Sequence, residues 1–148
     1  MFDIQDSSVL TAISVHHGER GAIGWYLAAL DKSAEFSGRA QRKEYWFFQL
    51  VNLLILFVLG ILEGILGIAS ESGMGIFSGV FILAMILPHL SVAVRRLHDI
   101  GCRGWVLLIS LIPLVGIIIV LGLMMTEGEP GDNRYGLNPK TAKDPPLG

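Results

Sequence analysis

The chain has 148 residues, of which 52% are hydrophobic and only 16% charged, whereas roughly 25% of residues are charged in an average soluble domain. This length allows one domain at most, and the single cysteine, Cys102, excludes an internal disulfide. The net charge of −2 is too small for an extended basic surface, so no nucleic-acid partner is expected.

The N-terminal part of the chain has little regular pattern. Residues 1–21 are mixed and polar with no clear period, and we expect a flexible extension there. Residues 24–30 (GWYLAAL) predict a short helix, in which Trp25 and Tyr26 suit the headgroup layer of a membrane. Such a helix either lies at the membrane surface or packs on the cytoplasmic end of a helix bundle.

Three long runs, residues 45–62, 72–94 and 105–126, contain no Asp, Glu, Lys or Arg. About 20 apolar residues in a helix cross the hydrocarbon core of a bilayer. Buried helices of a soluble bundle would normally carry a polar stripe at helical spacing, and these runs carry none. The pattern predicts an all-α membrane protein whose membrane domain covers residues 22–126. Its three transmembrane helices are expected at about residues 45–68, 74–94 and 105–125.

The first two spans are separated by a very short loop, so they should form an antiparallel hairpin. Gly60 and Gly64 close the first span, and Gly75 and Gly79 open the second. Small residues four apart let helix backbones approach closely in lipid. The two pairs lie near the same bilayer face, which predicts close helix contact there.

Proline interrupts the later part of the membrane domain. Pro88 and Pro113 fall inside the second and third spans and predict kinks. Re-entry of the third span at residues 113–116 is the alternative to a full crossing. Residues 127–148 are rich in turn-forming steps and predict an extended, exposed C-terminal tail.

The orientation is predicted by basic residues near the ends of the spans. Seven of them precede the first span or separate the second from the third: Lys32, Arg39, Arg42, Lys43, Arg95, Arg96 and Arg103. The loop between the first two spans has none. We therefore expect the N-terminus and residues 95–104 in the cytoplasm and, with three full spans, the C-terminal tail outside.

Two polar segments should meet at that cytoplasmic face. In residues 36–46 (FSGRAQRKEYW), Arg42 and Trp46 are four apart and could stack as a cation–π pair. In residues 95–105 (RRLHDIGCRGW), Arg95 and Asp99 have the same spacing and could form an ion pair. Together they predict a charged belt of Arg39, Arg42, Glu44, Trp46, Arg95, Arg96, His98, Asp99, Arg103 and Trp105.

These two segments, with the NRYGLNP block at residues 133–139, resemble the signature blocks of the YhaH-like small bacterial inner-membrane proteins. That family is defined by a domain of unknown function. The similarity covers about residues 24–140, with the blocks in the expected order and spacing. The resemblance implies a multi-pass protein of the bacterial inner membrane and supplies no activity. It also adds a tail motif to the candidate site: Asn133, Arg134, Tyr135 and Gly136.

The belt has a structural and a functional interpretation. Its arginines could pair with the acidic residues and extend to the headgroups, or their guanidinium groups could grip an anionic lipid headgroup. An enzymatic site is disfavoured, because adjacent helical residues such as His98 and Asp99 point about 100° apart and no nucleophile accompanies them. We expect neither a metal site nor a cofactor, since the histidines lack a matching ligand cluster.

Glu63 is the one acidic residue inside the predicted spans, and such carboxylates can serve proton-coupled transport. It lies about 27 Å along the first helix, near the far headgroup layer, which favours a structural role. The leading hypothesis is a non-enzymatic assembly module that joins itself or another membrane protein through its small-residue faces. The alternatives are an oligomeric transporter or channel lined by Glu63, Asn52 or His89, and an anionic-lipid sensor.

Overall fold

A computed structural model describes residues 21–70 and 75–141, which form helices and connecting turns with no strand among them. These residues contain four α-helices: α1 Ala22–Asp31, α2 Arg42–Ile65, α3 Ile76–Asp99 and α4 Val115–Met125. A 3-10 helix, Gly104–Leu111, stands between α3 and α4. The predicted N-terminal extension lies outside the described residues, apart from Gly21.

The two long helices form the predicted hairpin. Helices α2 and α3 have 24 residues each and are long and apolar enough to cross a membrane. They are antiparallel, because Glu44 near the start of α2 pairs with Arg95 near the end of α3. At the opposite end, Glu63 of α2 contacts Ser78 in the first turn of α3. The prediction of a helical protein is confirmed, and this pair has the length and apolar composition that were predicted for membrane-spanning helices.

The third predicted span, residues 105–125, does not form one helix. The 3-10 helix ends at Leu111, and α4 begins only at Val115. Between them Pro113 has no N–H to donate, and Leu114 adopts a positive φ of 62° in a tight turn closed by Val115 N donating to Pro113 O. The two pieces have 8 and 11 residues, so each is only about 16 Å long.

The two pieces fold back on each other at this turn. Gly116 lies so close to the Ile109 carbonyl that a Cβ would overlap it. The first piece follows the end of α3, where Cys102 N donates to Leu97 O. The second piece ends at Met125, beside Arg96 of α3. The apolar hairpin 104–125 therefore starts and finishes at the same end of the molecule.

The tail consequently lies where the sequence did not predict it. Glu129 N donates to Asp99 O at 2.8 Å, so the chain after α4 returns to the end of α3. The expectation that the tail faces the side opposite residues 95–104 is wrong in this structure. The tail is also not simply extended and exposed, because Asn138 is buried and the turn at residues 133–136 packs on His98.

Helix α1 confirms the predicted short helix and lies against the hairpin. Tyr26 stacks on Phe48 of α2 at 5.4 Å, and burial raises the pKa of the Tyr26 hydroxyl. Ser91 Oγ of α3 lies 2.7 Å from Lys32 O, just after α1. The small apolar core gathers at this end of the helices: Ala29, Ala40, Tyr45, Phe48, Val92, Leu97, Val120 and Met124.

Candidate functional site

The centre of the candidate site is a carboxylate held between two arginines. Arg39 Nε donates to Asp99 Oδ1 at 3.0 Å, and Arg96 Nη1 donates to Asp99 Oδ2. The three side chains are at most 4% exposed. Buried charges are tolerated when they are paired and hydrogen-bonded, and both carboxylate oxygens here meet a guanidinium. We call these three residues the Arg–Asp network.

The remaining donors of Arg39 hold the tail. Its Nη1 donates to Gly131 O at 2.7 Å, and its Nη2 donates to Glu129 O at 2.8 Å. Residue 39 precedes α2, so this one side chain joins the start of α2, the end of α3 and the tail. The Arg–Asp network thus connects three segments that are far apart in the sequence.

Arg96 completes the end of α4. Its Nε donates to Met124 O at 3.3 Å, and its Nη2 donates to Thr126 O. The last carbonyl groups of a helix have no partner within the helix, and an arginine can supply one. Arg96 is wholly buried and carries out this capping with the donors that Asp99 leaves free.

A second buried ion pair lies beside the network. Arg95 Nη1 donates to Glu44 Oε1 at 2.5 Å, and Arg95 O accepts from Ala40 N at 3.0 Å. The predicted pairing of Arg95 with Asp99 along one helix is wrong, because Asp99 bonds Arg96 and Arg39 instead. Within the described part of the chain, Arg95 Nε and Nη2 are buried without a hydrogen-bond partner.

His98 joins α3 to the tail motif. Its ring stacks on Tyr135 at 3.9 Å with only 3° between the planes, and its Nδ1 lies 3.2 Å from Gly38 O. Asn133 Nδ2 donates to His98 O at 3.0 Å, and Arg134 lies over the Tyr135 ring at 4.8 Å. A turn closed between Asn133 and Gly136 shapes this motif. His98 and Asp99 thus point to different partners and do not form a catalytic pair.

The matches with known proteins cover this whole arrangement. The family described as Protein of unknown function (DUF805) matches residues 33–137, which include the first two polar segments and the tail motif at residues 133–136. The chain belongs to this family. Its relatives include the inner membrane protein YhaH of Escherichia coli K12, 43% identical over 116 residues, which are 78% of this chain and 96% of that protein.

A second relative from the same organism, the inner membrane protein YhaI, is 40% identical over 116 residues, which are 78% of this chain and 95% of that protein. No solved structure matches the chain. The resemblance seen in the sequence is confirmed, and the protein is a helical membrane protein of a family whose function is unknown.

The other predicted belt residues lie outside the network. Arg42 is exposed, donates to Met125 O at 3.3 Å and lies 3.7 Å from the Glu127 carboxylate. Trp46 meets Tyr45 edge-on at 5.4 Å. Arg103 and Trp105 are exposed beyond the end of α3. The belt is therefore divided into buried arginines that are bonded within the chain and exposed cations at its edge.

The exposed edge carries its own ion-pair cluster. Lys140 Nζ donates to Glu127 Oε1 at 2.6 Å, which fixes part of the tail against the end of α4. This hydrogen bond, with the charges of Lys140 and Arg42, lowers the pKa of the Glu127 carboxyl below its usual value. Glu127 is largely exposed, so its contribution to stability is small.

Glu63 has a role that the sequence did not reveal. Its Oε1 accepts from Phe77 N at 2.7 Å and Ser78 N at 3.0 Å, and its Oε2 accepts from Gly75 N at 3.2 Å and Ser78 Oγ at 2.5 Å. The first N–H groups of a helix have no partner within the helix. Glu63 of α2 therefore caps the N-terminus of α3, and it is only 1% exposed.

The four predicted glycines have two different surroundings. A Cβ at Gly75 would overlap the Glu63 carboxylate, so this glycine admits the cap. Gly60, Gly64 and Gly79 face open space, with no atom of residues 21–70 and 75–141 near the position of a Cβ. The two glycine pairs do not pack against each other within the chain. Nothing in the described segments forms a cluster of metal-binding side chains.

Proposed function

We propose that the protein is a non-enzymatic assembly module of the inner membrane, which associates with itself or with another membrane protein. The observation that supports a non-enzymatic role most strongly is that the Arg–Asp network is buried and bonded within the chain. Its charged groups bond each other and the backbone of the same chain, and they are closed to solvent. Such a network stabilises a shape, whereas a reaction site needs groups that can reach a substrate.

The lipid-facing surface supports a role in assembly. Gly60 and Gly64 lie four apart on α2 with open space beside them, and Gly79 of α3 is equally uncovered. In lipid, helices associate through close van der Waals contact at small residues. Among the described residues no helix packs on these three glycines, which supports their use in contact with a helix of another chain.

The orientation that we propose has two transmembrane helices, α2 and α3, and a re-entrant hairpin at residues 104–125. All seven basic residues that predict the orientation lie before α2, in its first turn or after the middle of α3, and residues 66–75 contain none. The positive-inside rule then supports a cytoplasmic Arg–Asp network. In this arrangement the start of α1 and the tail are both cytoplasmic, with α1 near the membrane surface.

Reporter fusions after Gly148 test this orientation. A fluorescent protein fused there should fluoresce, and alkaline phosphatase at the same position should be inactive because it stays in the cytoplasm. An active phosphatase would contradict the two-span arrangement and restore the third full crossing.

Crosslinking in native membranes tests assembly. The wild-type chain should give a discrete crosslinked species, either with a second copy or with one other membrane protein. Gly64→Leu should weaken that species, because the side chain prevents close approach while it fits within the chain itself. Gly122→Leu on α4 is the matched control, since Gly122 also faces open space. Equal effects of the two variants, or no discrete species, would contradict the proposal.

Glu63 gives little support to the rival transporter. Its carboxylate oxygens are both occupied by hydrogen bonds from the start of α3. A proton carrier must change its protonation and partners during transport, and protonation here would uncap α3. Ion or solute flux into liposomes that is abolished by Glu63→Gln, with the fold intact, would favour the transporter instead.

A further inference from the structure

A surface groove separates the first turns of α2 from the end of α4. It has a volume of about 350 Å³ and is lined by Arg42, Lys43, Trp46, Phe47, Leu50 and Met125. It lies at the same end of the molecule as the Arg–Asp network, since α2 begins there. None of the three network residues lines it, so the groove is a separate feature.

The groove changes character along its length. Arg42 and Lys43 stand in the first turn of α2, Trp46 lies one turn further, and Leu50 lies another turn on. The distance from Arg42 to Leu50 along the helix is about 12 Å. This order matches the parts of a phospholipid. The cations lie at the level of the phosphate, the Trp46 ring at the level of the esters and Leu50 at the level of the acyl chain.

The cations of this groove are exposed to solvent, unlike the buried arginines of the network. Lys43 is exposed, and it has no hydrogen-bond or ion-pair partner in residues 21–70 and 75–141. Arg42 donates a hydrogen bond to Met125 O and lies 3.7 Å from the Glu127 carboxylate, but its side chain is exposed. Arg39 and Arg96 are buried and fully engaged with Asp99 and the backbone, so they cannot grip a headgroup.

We propose that this groove binds one phospholipid with an anionic headgroup, from the leaflet that surrounds the Arg–Asp network end of the molecule. The phosphate lies against Lys43 and Arg42, and an acyl chain runs along Trp46 and Leu50. This moves the lipid site from the buried arginines that the sequence suggested to the exposed pair. The site goes beyond assembly, because a module without bound lipid would still fulfil the proposed function.

Quenching of Trp46 fluorescence by brominated lipid tests the site. The full chain carries Trp25→Phe and Trp105→Phe, so that Trp46 is the only remaining tryptophan of the three. It is reconstituted in phosphatidylcholine vesicles that contain a small fraction of phosphatidylglycerol, with bromine on the acyl chains of one lipid at a time. At equal bromolipid fraction, phosphatidylglycerol should quench Trp46 about fivefold more effectively than phosphatidylcholine.

Lys43→Gln should remove most of that preference without disturbing the fold, since Lys43 bonds nothing in the described chain. Arg103→Gln is the matched control, because Arg103 is also exposed at this end of the molecule but does not line the groove. Equal quenching by the two lipids, or an equal loss in both variants, would overturn the proposal.

Added inorganic phosphate, at an ionic strength matched with chloride, should leave the preference intact because it offers no acyl chain. If phosphate abolished the quenching preference and chloride did not, the groove would be a simple anion site, and the proposal would also be overturned. The same is true if a copurifying protein shields Trp46 from both lipids. Each of these results leaves the crosslinking test of assembly unaffected.

Discussion

Arg39 and Asp99 are 60 residues apart in the sequence, yet Arg39 Nε donates to Asp99 Oδ1 at 3.0 Å with both side chains buried. The contact joins Arg39, three residues before the start of α2, to the last residue of α3. Because Arg39 also bonds two tail carbonyls, the same side chain fixes the chain after α4. The three polar segments that characterise the sequence therefore meet around the buried Arg–Asp network, which the tail segment reaches through Tyr135 stacked on His98.

Asp99→Asn should destabilise the protein strongly. The amide keeps the size of the side chain but leaves two buried guanidinium groups without a counter-charge, which costs about 3–5 kcal/mol of unfolding free energy. Thermal unfolding in detergent, followed by the reactivity of Cys102, measures the loss. Glu35→Gln is the control, because its exposed side chain should change stability little. Similar melting of the two variants would show that the Arg–Asp network is not essential to the fold.

Replacement of Arg39 and of Arg95 by lysine should have unequal effects. Arg39→Lys loses the separate bonds to Gly131 O and Glu129 O, at about 1 kcal/mol each. Arg95→Lys can keep its single bond to Glu44 and removes two buried donors that have no partner in the described chain. We expect a loss of about 2 kcal/mol for Arg39→Lys and almost none for Arg95→Lys, measured by the same unfolding assay. A reversed order would contradict this assignment of partners.

Gly75→Ala and Gly79→Ala separate the capping role from helix propensity. The added methyl group at Gly75 would displace the Glu63 carboxylate from the start of α3, whereas at Gly79 it meets open space. Loss of a helix cap costs about 1 kcal/mol or more, and alanine in an open helical position stabilises by up to about 1 kcal/mol. Unfolding midpoints should move in opposite directions. A rise for both variants would mean that Glu63 does not cap α3.

Gly116→Ala and Gly122→Ala make the same comparison within α4. At Gly116 a methyl group would collide with the Ile109 carbonyl, so the hairpin 104–125 should open and the unfolding midpoint should fall. At Gly122 the methyl group meets open space, and stability should be unchanged or slightly higher. The rate of protease cleavage at the hairpin turn is a second measurement, and it should be higher for Gly116→Ala. Equal sensitivity in the two variants would argue against the folded-back arrangement.

The hairpin of α2 and α3 could be predicted because long runs without charge and a short loop leave few alternatives. The third run looked the same by composition, yet it is broken. A continuous helix and a folded-back pair have the same apolar composition, so only the positions of Pro113 and Gly116 distinguish the two conformations in the sequence. Those two residues indicated re-entry as an alternative, but the return of Glu129 to Asp99 had no local signal.

The contacts among the predicted belt residues could not be predicted from the sequence. Spacing along one helix suggested that Arg95 pairs with Asp99, because only contacts within a segment can be read from sequence. The actual partner of Arg95 is Glu44, 51 residues away, and Asp99 has a partner 60 residues away. Likewise Glu63 could be judged structural from its depth, but its hydrogen bonds to the start of α3 depend on how the hairpin closes.

The folded-back segment 104–125 also changes the outline of the molecule. Its two halves reach only about 16 Å from the Arg–Asp network end, so beyond that depth α2 and α3 are the only described helices that continue. The cross-section is therefore broad at one end and narrow at the other. In a bilayer such a wedge displaces more lipid from one leaflet than from the other. It therefore causes least lateral stress in a curved membrane whose convex leaflet contains the broad end.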